Sequence, residues 1–179
     1  STSSAAGITW NLADLYASVD DPQINRDLED CARLCNAFAA QYRSLFSTAN
    51  ALTAASLETA LVEYERICQI MSKLGSYAGL VTAADTMNDA GRRLEDRIQQ
   101  QLVDLGNLLT FFDIGWLEVE DSAASDLMSQ PTLANYRHYL SSSRRYKPHT
   151  LSEPEELLMN QKSLTARTAW TTLFDEYVA

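Results

Sequence analysis

The sequence has little of what interrupts or unfolds a chain: four prolines and six glycines in 179 residues, no low-complexity tract and no internal repeat. That scarcity excludes extended disorder and points to a packed core. It is also short of positive charge. Fourteen Lys and Arg stand against 24 Asp and Glu, a net charge of −10. Such a surface repels phosphate backbones and anionic lipids, so neither nucleic acid nor a membrane is expected as a partner. Long apolar runs are missing too. The longest covers 108–117, is broken by Asp113, and is too short to span a bilayer. No charged-then-apolar leader opens the chain. Cysteine is sparse and odd in number, three in all, which gives no disulfide framework. Cys31, Cys35 and Cys68 read as small buried residues of a reducing compartment rather than as a partial metal or redox site.

Catalytic signatures are also absent. A helical zinc hydrolase needs H-E-x-x-H, two imidazoles one turn apart with a Glu as base. Here His138 and His149 fall in different elements, and neither is followed by Glu. There is no paired E-x-x-H for a di-iron site, no glycine-rich phosphate cradle and no nucleophile elbow.

What the sequence does have is helical periodicity. Between 53 and 86, Leu57, Leu61, Tyr64, Cys68, Met71, Gly75, Ala78 and Val81 recur in steps of about four and three, one face of a helix about 48 Å long. Asp20-Asp21-Pro22 starts an earlier helix carrying Ile24, Leu28, Cys31, Cys35, Phe38, Tyr42 and Leu45. Positions 47–50 form the turn between the two, and Ser56 is an alternative start for the second. After Asn88-Asp89 a third helix is predicted over 90–119, with Leu94, Ile98, Leu102, Leu105, Leu109, Phe112 and Trp116 as its stripe. Three such rods joined by short turns pack antiparallel at shallow angles.

Shorter helices follow at 122–129, stopped by Pro131, and at 132–146. From the cap at Ser152 the helical pattern runs on to Tyr177, with a break near Ser163-Leu164-Thr165. No strand alternation is found. The expected fold is all-α, an array of long antiparallel helices followed by shorter ones. Residues 1–7 read as a frayed terminus, 1–19 as an extension whose apolar stretch at 8–16 docks on the body, and 20–179 as a single helical domain. The chain lacks an initial Met and stops inside a helical pattern, so it is expected to be part of something longer, truncated at its C-terminus.

Some residues admit two readings. Gly75, Ser76 and Gly79 form a small-residue patch that either lines a groove for peptide backbone or lets a neighbouring helix approach. Tyr77 lies within that patch. Arg144, Arg145 and His149 belong to the only basic cluster. They either contact a peptide carboxylate or an acidic partner surface, or suit the end of a solvated helix. Tyr136 and Tyr139 with His138 either line a pocket or form a half-buried aromatic face.

Four stretches resemble the N-terminal region of the oligoendopeptidase F family, bacterial relatives of thimet oligopeptidase. Trp10-Asn11-Leu12-Ala13-Asp14-Leu15-Tyr16 is similar to that family's W-D-L-x-D-L-Y, with Asn11 replacing Asp. Leu74-Gly75-Ser76-Tyr77-Ala78 through Ala84-Asp85-Thr86 resembles L-x-S-Y-A…A-D-T. Tyr136-Arg137-His138-Tyr139-Leu140 leads to Pro148-His149-Thr150-Leu151-Ser152-Glu153-Pro154-Glu155-Glu156, similar to H-x-L-S-x-x-E-E. Ser163-Leu164-Thr165 with Ala169-Trp170 and Leu173-Phe174-Asp175 fits the segment after it.

The resemblance implies a cytoplasmic, zinc-dependent metallopeptidase that hydrolyses short peptides inside a closed, mostly helical body. Its zinc site lies in the C-terminal half, and its N-terminal helices form a wall of the substrate channel. No catalytic or metal residue is expected in this chain, and no cofactor, zinc belonging to the full-length parent. The implied partners are the C-terminal catalytic half of the same polypeptide and short peptide substrates. An exposed apolar face left by the truncation would let the fragment self-associate. Candidate channel or peptide contacts are Gly75, Tyr77, Gly79, Tyr139, Arg144, Arg145 and His149. The competing reading is an independent helical scaffold that binds a protein partner.

Overall fold

The computed structural model describes residues 10–46 and 52–178, so the expected turn at 47–50 and the frayed terminus at 1–7 lie outside the described residues. Helix α1, Pro22–Tyr42, starts where Asp21 accepts the Gln23 amide at 2.8 Å and Pro22 takes the first-turn position that needs no N–H. Helix α2, Ala54–Ala84, opens with a capping box. The Thr53 hydroxyl accepts the Ser56 amide at 3.1 Å while the Ser56 hydroxyl accepts the Thr53 amide at 2.9 Å. Ser56 is thus the third residue of the helix and not an alternative start.

Asn88 caps α3, Asp89–Asn107, by accepting the Gly91 amide at 3.0 Å. The predicted single helix over 90–119 is in fact two. At Leu108 and Leu109 the amides bond three residues back, to Leu105 at 3.1 Å and Gly106 at 2.9 Å, and α4 restarts over Thr110–Glu118. Gly106 and Asn107, both poor helix formers, stand at the break. The restart lets α4 bury Phe111, Phe112, Gly115, Trp116 and Leu117, most of its circumference.

Helix α5, Asp121–Ser129, is followed by a tight turn at Pro131–Leu133 and by α6, Arg137–Arg144. The helix expected over 132–146 is shorter because the amides of Leu133, Ala134 and Tyr136 all bond three residues back, a pitch too tight to continue as an α-helix. Helix α7, Glu153–Ser163, has the Ser152/Glu155 capping box. It runs through a π-helical turn at Leu164–Thr168, where a break was expected, into α8, Ala169–Val178. The described residues hold eight α-helices and no strand, the all-α class that the periodicity predicts.

Contacts along α1–α3 run in opposite directions. Met71, Gly75 and Gly79 of α2 meet Gly106, Leu102 and Glu95 of α3, so partner numbers fall as α2 numbers rise. Across α1 and α2, Phe38 meets Tyr64 and Asp27 meets Lys73 in the same antiparallel sense. Their apolar faces form two core clusters. One is aromatic, centred on Phe38, Phe111, Phe112 and Trp116, and reaches Leu133 and Leu140 of the later elements. The other joins Ile24, Leu28, Leu74, Ala78, Leu94 and Ile98 to the preceding segment through Tyr16. In that segment Leu12 and Leu15 pack against the core while Trp10 stays 62% exposed. Among the described residues α7 and α8 leave the largest apolar exposure, with Leu158, Met159, Trp170, Leu173, Phe174 and Tyr177 all open to solvent.

Candidate functional site

The break between α3 and α4 also makes a cleft. Helix α2 contributes Tyr64, Cys68 and Met71, spaced four and three apart on one face. Leu102, Val103 and Gly106 come from α3, Thr110 and Asp113 from α4, and Asn160 and Ser163 from α7. Gly106 carries no side chain where the Met71 methyl comes nearest, and α7 lies across the junction instead of filling it. The result is a half-open cleft of about 320 Å³, with Met71, Leu102 and Leu109 as its apolar wall.

Its polar centre is Asp113. The Tyr64 hydroxyl donates to both carboxylate oxygens, at 3.3 and 3.0 Å, and the Tyr139 hydroxyl of α6 donates to Oδ1 at 3.3 Å. No Lys or Arg among the described residues forms an ion pair with it at salt-bridge distance. Water reaches Asp113 from the open side, yet protein surrounds it elsewhere. That burial raises the carboxyl above its ordinary range, with the two tyrosine donors opposing the shift. Burial, then the charge of Asp113, pushes Tyr64 and Tyr139 far above the usual phenol range, so both remain proton donors. The Cys68 thiol is raised by burial as well and is no thiolate nucleophile at neutral pH. On the α7 side, Asn160 donates to the Asn107 side chain at 3.0 Å and accepts from Ser163 through its carbonyl at 2.7 Å. Chemically this is a binding arrangement: an anchored carboxylate beside an apolar wall, with no activated nucleophile.

The seven residues singled out from sequence do not gather at one place. Gly75 faces Leu102, whose Cδ1 would lie 3.2 Å from an added Cβ, and Gly79 faces Glu95 at 3.7 Å. Tyr77 is 3% exposed and packs edge-on against Tyr16, ring centroids 5.0 Å apart. Arg144 turns inward to the Trp116 and Val119 carbonyls, at 2.8 and 2.7 Å, and to the Asp121 carboxylate. Arg145 and His149 are exposed at the far end of α6 and in the tight turn Lys147–His149. Of the seven, Tyr139 is the one that touches the cleft's carboxylate. Sequence reasoning missed Tyr64, Asp113 and Asn160. The available signal was Asp113 itself, the charge that interrupts the longest apolar run.

Among the described residues no group of three or more His, Cys, Asp or Glu is placed to hold a metal ion. No helix there is long and apolar enough to cross a membrane.

From Trp116 at the end of α4 onward, residues 116–179 match the N-terminal domain model of the family described as Oligopeptidase F. No curated protein matches the chain. No solved structure does either.

Proposed function

We propose that this chain is the N-terminal helical domain of an oligoendopeptidase F-like zinc metallopeptidase, where it walls the substrate channel and restricts access to short peptides. The observation that carries the reading is the family match over 116–179, on a chain whose described residues are all-α. The sequence motifs at 10–16 and 74–86 resemble the same family and add support. The missing H-E-x-x-H accords with a division of labour in which zinc and the hydrolytic residues belong to the other half of the polypeptide. No step of that chemistry passes through residues of this chain. The exposed apolar side chains of α7 and α8, Trp170 and Phe174 foremost, offer the kind of surface that a catalytic half would cover. The working location is the cytoplasm, as for the family.

Two measurements test this reading. The purified chain, supplied with zinc, is expected to show neither stoichiometric metal binding nor turnover of a quenched short peptide. Metal-dependent turnover from this chain alone would overturn the proposal. The coding sequence is expected to continue beyond Ala179 into H-E-x-x-H, whereas a stop codon there would favour an independent scaffold.

A further inference from the structure

We propose that the Asp113 cleft binds a primary ammonium group carried on a short apolar stem. Three observations converge on that chemistry. Asp113 is an acceptor with no cationic partner at salt-bridge distance among the described residues, and its oxygens are already oriented by Tyr64 and Tyr139. Those two phenols donate to the carboxylate, so they hold it in place without neutralising it. The cleft beside it measures about 320 Å³, at the small end of ligand-sized sites, and its wall of Met71, Leu102 and Leu109 suits an aliphatic stem. An anion would meet the carboxylate unfavourably, and a neutral ligand would leave its charge uncompensated. A monocation compensates it directly.

Two sources present this group: a free aliphatic amine, and the N-terminus of a peptide whose first side chain is apolar. The inference stands apart from the peptidase reading, since it needs neither zinc nor a catalytic half.

Binding of a cation favours the ionised carboxylate, so affinity should rise with pH as Asp113 loses its proton, in the range above ordinary carboxylates. The ionisable groups facing Asp113 are Tyr64 and Cys68 from α2 and Tyr139 from α6. The cleft residues of α3 and α7, Leu102, Val103, Gly106, Asn160 and Ser163, do not titrate.

The experiment is an NMR titration of the whole chain with butylammonium, with 1-butanol as the neutral control, followed by the amide of Leu-Leu and its N-acetyl form. Butylammonium is expected to shift resonances of Tyr64, Tyr139 and Asn160, and butanol to bind at least about tenfold more weakly. Asp113→Asn is expected to lose about tenfold in affinity and the pH dependence together. Tyr139→Phe should keep the fold and the pH dependence with a smaller loss. A free dipeptide amide that binds more tightly than butylammonium would identify a peptide N-terminus as the ligand. Equal or weaker binding would identify a free amine. The proposal is overturned if no cleft resonance responds, if butanol or the acetylated peptide binds as tightly as its charged counterpart, or if Asp113→Asn binds unchanged.

Discussion

Arg144 of α6 spans the end of α4: its guanidinium donates to the Trp116 carbonyl at 2.8 Å and lies 5.3 Å from the centroid of the Trp116 ring. The Trp116 indole N–H in turn donates to the Leu140 carbonyl at 3.0 Å, so the two helices are tied in both directions. A second guanidinium nitrogen reaches the Val119 carbonyl at 2.7 Å. Two orphan carbonyls at a helix C-terminus thus share one planar cation.

Replacing Arg144 with Met is expected to cost about 1–2 kcal/mol, because two partly buried carbonyls lose charged donors. Arg144→Lys should recover only part, since a single ammonium cannot fork to both. Urea midpoints of the three proteins check the order. Equal midpoints for Arg144→Lys and the parent would refute the bridging role.

Three helical glycines should respond to Ala in three ways. Ala in place of Gly normally stabilises an exposed helix position by about 0.5–1 kcal/mol. At Gly79 an added Cβ meets only Glu95, at an ordinary 3.7 Å, so Gly79→Ala is expected to gain that amount. At Gly75 it comes within 3.2 Å of the mobile end of Leu102, and the change should lie within about 0.5 kcal/mol of zero. At Gly115 an added Cβ falls on the Phe46 ring, a contact no repacking of a flexible tip relieves. Gly115→Ala is therefore expected to lose about 1–3 kcal/mol. Thermal or urea denaturation of the three variants checks the order, which fails if Gly115→Ala is as stable as the parent.

The fold was legible where periodicity was long. The stripe at 24–42 falls on a buried face, and Asp21, Thr53, Asn88 and Ser152 sit at caps where short polar residues satisfy first-turn amides. In α2 the stripe is displaced: Leu57, Leu61 and Ala78 are buried, but Tyr64, Cys68, Met71, Gly75 and Val81 are only partly so, and Ala60, Ile67, Leu74 and Tyr77 fill the core instead. Periodicity failed at Leu108–Leu109, because both sides of the break are apolar and continue one stripe. The tightened turn there is set by Gly106-Asn107 and by packing, which a pattern of apolar residues does not encode. The cleft was illegible for the same reason. It exists only because α3 and α4 are separate and α7 crosses their junction. Tyr64 and Asp113 lie 49 positions apart, and only tertiary structure brings them within hydrogen-bond distance. Arg144 likewise read as a surface charge, since nothing local reveals the carbonyls it turns toward.

The thiols give a third test. Cys31 and Cys35 are fully buried, and the hydrogen bond between them lowers the first and raises the second. Cys68, beside the cleft, is raised by burial. None therefore offers an accessible thiolate near neutral pH. Ellman's reagent on the folded chain is expected to react far more slowly than with a free thiol, and all three should react rapidly once the chain is unfolded in guanidinium. Fast labelling of Cys31 or Cys35 in the folded chain would contradict the packing of α1 against α2.

Acid titration should separate two carboxylates of opposite sign. Burial opposes the charge of Asp27, but donors from Tyr16 at 2.7 Å, Gln23 at 2.5 Å and Lys73 at 3.0 Å outweigh it, and its pKa is lowered. The stability it contributes is therefore present above the unfolded carboxylate pKa of about 3.9 and is lost as pH falls through the lowered value. Asp113 is raised by burial, so its ionisation burdens the folded state. That burden is complete above the raised pKa and disappears as pH falls to the unfolded value. At neutral pH, Asp27→Asn should therefore be less stable than the parent and Asp113→Asn more stable. Both differences should shrink as the medium is acidified, that of Asp113 at the higher pH. Urea midpoints between about pH 3 and 7 test this directly. If Asp113→Asn is destabilising at neutral pH, then the tyrosine hydrogen bonds outweigh burial. In that case Asp113 serves to tie α2, α4 and α6 together, and the idea that it gives up stability to keep a charge in the cleft is wrong.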